Sequence, residues 1–133
     1  MPAMGDDPRQ ELGRSGEELA AESLSRDGFR ILARRWRRCG AEIDLVCERG
    51  DQVVFVEVKA RSGDGFGAPA EAVTRAKRRK IARAALAFLV RHGLLERSCR
   101  FDVVEVLAGP GGSRSVRHIE DAFRLSPADY PGA

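Results

Sequence analysis

The spacing of apolar and polar positions predicts two helices and five strands in this chain of 133 residues. Apolar residues recur at helical spacing over 11–26 and 75–91. Segments rich in β-branched and other apolar residues predict strands over 29–38, 41–48, 52–60, 99–107 and 115–120. The elements therefore follow one another in the order α-β-β-β-α-β-β.

A β-hairpin is predicted at the centre of the chain. Gly50 and Asp51 separate its strands as a two-residue turn with glycine first, which is typical of type II′. Alternate residues then share one apolar face, on which Ile43, Leu45 and Cys47 lie opposite Val58, Val56 and Val54. We expect this face to pack into the core.

The other face of the hairpin carries charged side chains at the end away from the turn. Asp44 is expected opposite Glu57, and Glu42 opposite Lys59. Carboxylates paired in this way have Cβ atoms about 5 Å apart and repel each other by roughly 3 kcal/mol at an effective dielectric near 20. A divalent cation such as Mg²⁺ between them would turn repulsion into ligation. The alternative is a solvated sheet face with a Glu42–Lys59 ion pair.

The second helix begins with a run of cations. Thr74 is a suitable N-cap, and the first turns carry Arg75, Lys77, Arg78, Arg79, Lys80 and Arg83. Cations at this end of a helix oppose its macrodipole, so a bound polyanion is one explanation for them. A solvated basic face is the other.

Four arginines surround Trp36, the only tryptophan of the chain: Arg34, Arg35, Arg37 and Arg38. An aromatic ring among arginines suits contact with nucleic acid through stacking and phosphate binding. An edge strand that is protected by charge and packs Trp36 inward would show the same pattern.

The length and composition fit one globular domain over 11–125, after a disordered lead over 1–10 and before a tail over 126–133. The three cysteines lack CxxC spacing, so we expect free thiols in a reducing cytoplasm and no zinc site. No apolar run is long enough for a signal peptide or a membrane span.

The element order predicts an α/β fold with a mixed sheet between flanking helices. The first three strands can form an antiparallel meander. The second helix then serves as a right-handed crossover, which makes the strands over 52–60 and 99–107 parallel. The carboxylates of the hairpin and the basic start of the helix would lie near the same end of the sheet.

Asp44 together with Glu57-Val58-Lys59 on the next strand resembles the signature of restriction-endonuclease-like nucleases, PD-(D/E)XK, with Ile43 in place of the proline. The fuller pattern resembles the YraN-type family of small bacterial proteins, and archaeal Holliday-junction resolvases are similar. The matching pieces lie between residues 13 and 123 and include Gly16-Glu17, 42–46, 54–61, Val73-Thr74, Lys80-Ile81, 100–104, His118-Ile119 and Ala122-Phe123.

This resemblance implies a restriction-endonuclease-like core and a metal-dependent endonuclease that hydrolyses phosphodiesters in DNA, including branched or structured DNA. It implies that Asp44, Glu57 and the carbonyl of Val58 bind Mg²⁺ or Mn²⁺. Lys59 would be the catalytic lysine, and Glu17 would complete the acidic site.

DNA would be held by cations beside this site, and Lys77 would lie near the scissile phosphate. The residues that we expect to bind the flanking backbone are Arg61, Arg75, Lys77, Arg78 and Lys80. Resolvase-like action would also require a homodimer.

Two other functions fit the same residues. One is a non-catalytic nucleic-acid-binding module that has a nuclease-like fold. The other is a protein-interaction domain whose basic helix meets an acidic partner.

Overall fold

The computed structural model of the protein describes residues 8–62 and 75–124, with side chains described over 16–61 and 76–124. Its elements are α1 (Pro8–Arg26), β1 (Arg30–Arg38), β2 (Ala41–Arg49), β3 (Gln52–Ser62), α2 (Arg75–Arg91), β4 (Cys99–Ala108) and β5 (Arg114–Phe123). The predicted order is confirmed. The rest of the predicted lead, the glycine-rich segment that follows Ser62, Thr74 and the predicted tail lie outside the described residues.

Several boundaries differ from those expected. Helix α1 begins at Pro8, so its first turn takes up part of the predicted lead. Strand β5 runs on to Phe123, because its last residues pair with the start of β4. Within the described residues, neither helix is long and apolar enough to cross a membrane.

The five strands form one mixed sheet in the order β1-β2-β3-β4-β5. Strands β1, β2 and β3 are an antiparallel meander, and β4 pairs with β5 antiparallel. Strands β3 and β4 are parallel, with α2 as the connection between them. The mixed α/β architecture and the parallel pairing of the strands on either side of α2 are therefore confirmed.

The helices cover opposite faces of the sheet. Because side chains of a strand alternate between faces, β3 contributes to two separate cores. One core faces α1 and includes Ala20, Ala21, Leu24, Leu45, Cys47, Val54, Val56 and Val104. The other faces α2 and includes Val46, Val53, Phe55, Ala84, Ala85, Phe88 and Phe101.

The central hairpin has the predicted turn. Gly50 adopts a positive φ of 60°, as the first position of a type II′ turn requires. The strands pair from Arg49–Gln52 as far as Leu45–Val56, in the expected register. Beyond Leu45 the backbone ladder ends. The predicted pairs Asp44–Glu57 and Glu42–Lys59 are not part of it.

The side chain of Asp44 replaces a backbone acceptor where the ladder ends. The backbone N–H of Val58 donates to Asp44 Oδ2 at 2.7 Å, in place of a strand-to-strand bond. On the other side of β2, Arg35 has a left-handed φ of 52°, which interrupts the alternation of β1 at this level. The predicted face of Ile43 is therefore wrong: Ile43 belongs to the core under α2 instead of the face of Leu45.

A buried ionic network joins β4 to β5. Asp102 is fully buried, and its Oδ1 accepts from Arg100 Nε and from the N–H of Asp121, both at 2.9 Å. Its Oδ2 lies 2.7 Å from Nε2 of His118. Burial opposes ionisation of Asp102, but these donors outweigh burial and hold the pKa of its carboxyl below the ordinary value.

Asp102→Asn should destabilise the fold by about 2–4 kcal/mol at pH 7, because the neutral amide replaces a buried charge that accepts from Arg100, His118 and the Asp121 N–H, while Arg100 keeps only the more distant Glu120 as a charge partner. The lowered pKa means that ionised Asp102 contributes stability above about pH 4, its ordinary pKa, and that this contribution is lost as the pH falls further. Urea unfolding over a range of pH measures both effects. Asp51→Asn, in the exposed turn, is the control; equal stability of the two variants would contradict the prediction.

Candidate functional site

The candidate site lies where β2 and β3 diverge, beside the start of α2. Glu57 and Lys59 alternate onto the side of β3 that faces α2, and Lys77 approaches from the first turns of that helix. Lys77 Nζ lies 2.9 Å from Glu57 Oε1, and Lys59 Nζ lies 3.1 Å from the same oxygen. One carboxylate oxygen thus receives two ammonium groups.

The second oxygen of Glu57 is in a different situation. Oε2 is buried and accepts no hydrogen bond from any residue that the structure describes. Burial raises the pKa of Glu57, but the hydrogen bonds and charges of Lys77 and Lys59 outweigh it, so the pKa lies below the ordinary value. Glu57 is therefore an ionised carboxylate with a buried lone pair available to a cation.

The pKa of Asp44 is shifted in the opposite direction, above its ordinary value. Burial is the largest cause, and the charge of Glu57 adds to it, so that the pKa rises to about 6 even though the Val58 N–H favours the ionised form. Two neighbouring carboxyls whose pKa values move apart are typical of functional sites.

Glu17 lies on α1, which covers the face of the sheet opposite to α2 and Glu57, and it acts on the site through the charge of Asp44. Its Oε2 accepts a hydrogen bond from Arg35 Nε at 3.1 Å, and its charge is among the causes that raise the pKa of Asp44. Arg35 is thus a positioning residue that the sequence pattern did not reveal, because only the left-handed turn of β1 directs it toward α1.

Glu42 takes no part in the cluster around Glu57. It pairs with Arg37 of β1 at 2.7 Å instead of with Lys59. The Glu42–Lys59 ion pair of the solvated-face alternative is therefore replaced by one within the first hairpin. Lys59 forms its ion pair with Glu57 instead.

The cations expected to bind DNA differ in their surroundings. Arg61 pairs with the buried Glu105 at 3.0 Å, and the guanidinium of Arg78 lies 5.8 Å from the ring centre of Phe123. Lys80 is exposed on the outer face of α2, and the side chain of Arg75 lies outside the described residues. Their contact with DNA stays a prediction.

Trp36 packs inward. Its indole Nε1 donates to the carbonyl of Ala84 at 2.9 Å, and its ring meets Phe88 edge to face. This ring fixes β1 to α2 and is not presented for stacking on a base.

The residues present fit a hard divalent cation. Over 8–62 and 75–124 no cluster of three or more Asp, Glu, His or Cys residues is found. The donor set is the Asp44 and Glu57 carboxylates, with the buried Oε2 of Glu57 lacking a partner among the described residues. Mg²⁺ and Mn²⁺ are commonly held by one or two carboxylates, with water and a substrate phosphate in the other positions.

Asp44→Asn should stabilise the metal-free protein by about 1–3 kcal/mol at pH 8, the upper end being the full pKa shift converted to free energy. The amide still accepts from the Val58 N–H, but it carries no charge. Because the pKa of Asp44 is raised in the folded state, the contribution of Asp44 to stability falls as the pH rises from about 4 through 6. The variant should lose this dependence.

Thermal or urea unfolding in EDTA at pH 4 and pH 8 measures the difference. Asp51→Asn, the same change at the exposed turn of the central hairpin, serves as the control. A variant that is less stable than wild type at pH 8 would contradict the prediction.

The comparisons with known proteins place these residues in a family context. The model of the family described as "Uncharacterised protein family UPF0102" matches residues 16–106. A UPF0102 protein of Symbiobacterium thermophilum is 50% identical over 112 residues, which cover 84% of this chain and 95% of that protein. One from Nitratidesulfovibrio vulgaris is 46% identical over 120 residues, with 90% and 89% covered. The YraN-type resemblance is thereby confirmed.

Among solved structures, the chain is similar to Pyrococcus furiosus SfsA in complex with Ca²⁺. The identity is 15%, the TM-score is 0.38, and 88% of this chain is covered. The chain spans 65% of the length of that protein.

Proposed function

The chain belongs to the uncharacterised protein family UPF0102, and we propose that it is a metal-dependent endonuclease that hydrolyses phosphodiester bonds in DNA. The observation that carries the proposal is the state of Glu57. One oxygen of this half-buried carboxylate holds two lysine ammonium groups, and the other is buried and accepts no hydrogen bond among the described residues. The two lysines account for the first oxygen, and the second has an unused lone pair.

The fold supports the proposal. Helices on both faces of a mixed sheet, with the acidic residues where an antiparallel pair diverges, are compatible with a restriction-endonuclease-like core. In such a core Asp44, Glu57 and the Val58 carbonyl would hold Mg²⁺ or Mn²⁺. The bound cation would lower the pKa of a water and offset the charge of the scissile phosphate.

The protein's own side chains would orient the reactants. Lys59 and Lys77 lie within 3.1 Å and 2.9 Å of Glu57 Oε1, so both ammonium groups would border a phosphate whose oxygen shared a metal ion with Glu57. Lys59 would orient the attacking water or neutralise charge on the pentavalent phosphorus. Glu17, held by Arg35, would complete the acidic side of the site. Action on branched DNA would further call for a homodimer.

A non-catalytic nucleic-acid-binding module is the second candidate. It is favoured by the same two lysines, because they already neutralise Glu57 without any metal. The two functions differ in turnover and in the response to divalent ions.

Glu57→Gln should abolish Mn²⁺- or Mg²⁺-dependent nicking while the affinity for DNA in EDTA stays within about threefold, because the backbone contacts are made by other residues. The assay uses linear, nicked and four-way DNA with each ion. Glu120→Gln is the matched control on an exposed surface. Cleavage without metal, or full activity of Glu57→Gln, would refute the proposal; DNA binding without cleavage of any substrate would favour the second candidate.

Lys77→Met should bind Mn²⁺ several-fold more tightly than wild type, because the cation no longer competes with this ammonium for Glu57. Titration calorimetry of the DNA-free protein gives the dissociation constant. Arg79→Met, at an exposed position two residues further along α2, should leave the affinity unchanged. Equal or weaker binding by Lys77→Met would show that the lysine does not compete with metal.

A further inference from the structure

An open groove of about 540 Å³ runs between the β1–β2 turn and the outer face of α2. Its floor is apolar and is formed by Leu86, Ala87 and Val90, and its rim carries Arg38, Arg83 and Arg91. Val90 is 58% exposed, which is unusual for a large apolar side chain beside three cations.

The three rim arginines are exposed, and none forms an ion pair with another residue in the part of the chain that the structure describes. Their neighbours in β1 behave differently: Arg35 pairs with Glu17, and Arg37 pairs with Glu42. No carboxylate lines this groove. The groove therefore concentrates positive charge around an apolar strip.

A second groove lies at the candidate site. It has a volume of about 450 Å³ and is lined by Gly40 of the β1–β2 turn, by Lys77 and Lys80 of α2, and by the carboxylates Glu42 and Glu57, of which Glu42 is paired with Arg37 and Glu57 with two lysines. Both grooves follow α2, and the turn at Cys39 and Gly40 borders both. At 1.5 Å per residue, the path from Lys77 to Arg91 is about 21 Å long, which matches roughly six base-pair steps of a DNA strand.

We propose that the two grooves form one track that holds the sugar–phosphate backbone of the DNA segment flanking the cleaved bond. The proposal rests on the proposed function and names the path of its substrate. Arg38, Arg83 and Arg91 contact successive phosphates, and the strip of Leu86, Ala87 and Val90 contacts the sugars between them. Clustered arginines disfavour a second copy of this chain at the groove, because like charges would meet there.

Cys39 provides a direct test, because it is exposed and lines the groove. Alkylation of Cys39 by iodoacetamide should slow about tenfold when a 30-base-pair duplex is present at ten times its dissociation constant. The half-buried Cys99, at the other end of the sheet, is the internal control, and its rate should not change. Mass spectrometry measures both rates in EDTA, so that cleavage plays no part.

A charge-reversal variant provides a second test of the track. Arg83→Glu should weaken duplex binding about tenfold and reduce the salt slope by about one or more. Arg114→Glu, an equal change of charge on the exposed start of β5, should have a much smaller effect.

The results of these experiments can overturn the track without overturning the proposed endonuclease function. Binding and nicking by wild type, with Arg83→Glu equal to Arg114→Glu and Cys39 unprotected, would overturn the track alone. Absence of any DNA binding at low salt would overturn both. A wild-type dimer that Arg83→Glu dissociates, seen by sedimentation, would assign the groove to a second copy and also overturn the track.

Discussion

The hydrogen bond from the Val58 N–H to Asp44 Oδ2 determines the arrangement of the candidate site. It replaces a rung of the β2–β3 ladder with a side chain, so the two strands stop pairing beyond Leu45. Asp44 is thereby held between them, in surroundings that disfavour its charge, while Glu57 turns toward α2. Without that replacement the hairpin would continue as an ordinary ladder with two facing carboxylates.

The cations at the start of α2 are explained in part by contacts within the protein, in addition to the proposed binding of DNA. Lys77 is neutralised by Glu57, and Arg78 lies over the ring of Phe123, so part of the unfavourable interaction with the helix macrodipole is offset. Lys80 and Arg83 remain exposed.

The element order, the crossover and the hairpin turn could be predicted because each depends on local periodicity or on a glycine with a positive φ, as at Gly50. The pairing beyond Leu45 could not, because a side-chain acceptor competes there with the backbone. The predicted face of Ile43 is wrong for the same reason. The network of Arg100, Asp102 and His118 could not be predicted, because the register of β4 and β5 shifts between Phe101 and Val103 and counting residues along the strands does not bring Asp102 and His118 together.

The strand that carries Glu57 is anchored unequally. On one side β3 remains paired with β4 as far as Ser62, and Arg61 is fixed to the buried Glu105. On the other side, the bond to β2 at this level that the described residues show is the one from the Val58 N–H to Asp44. In the proposed metal site, two carboxylates anchored so unequally would adapt to ions of different radius, so discrimination among divalent metals would come from hydration and charge rather than from a rigid cavity.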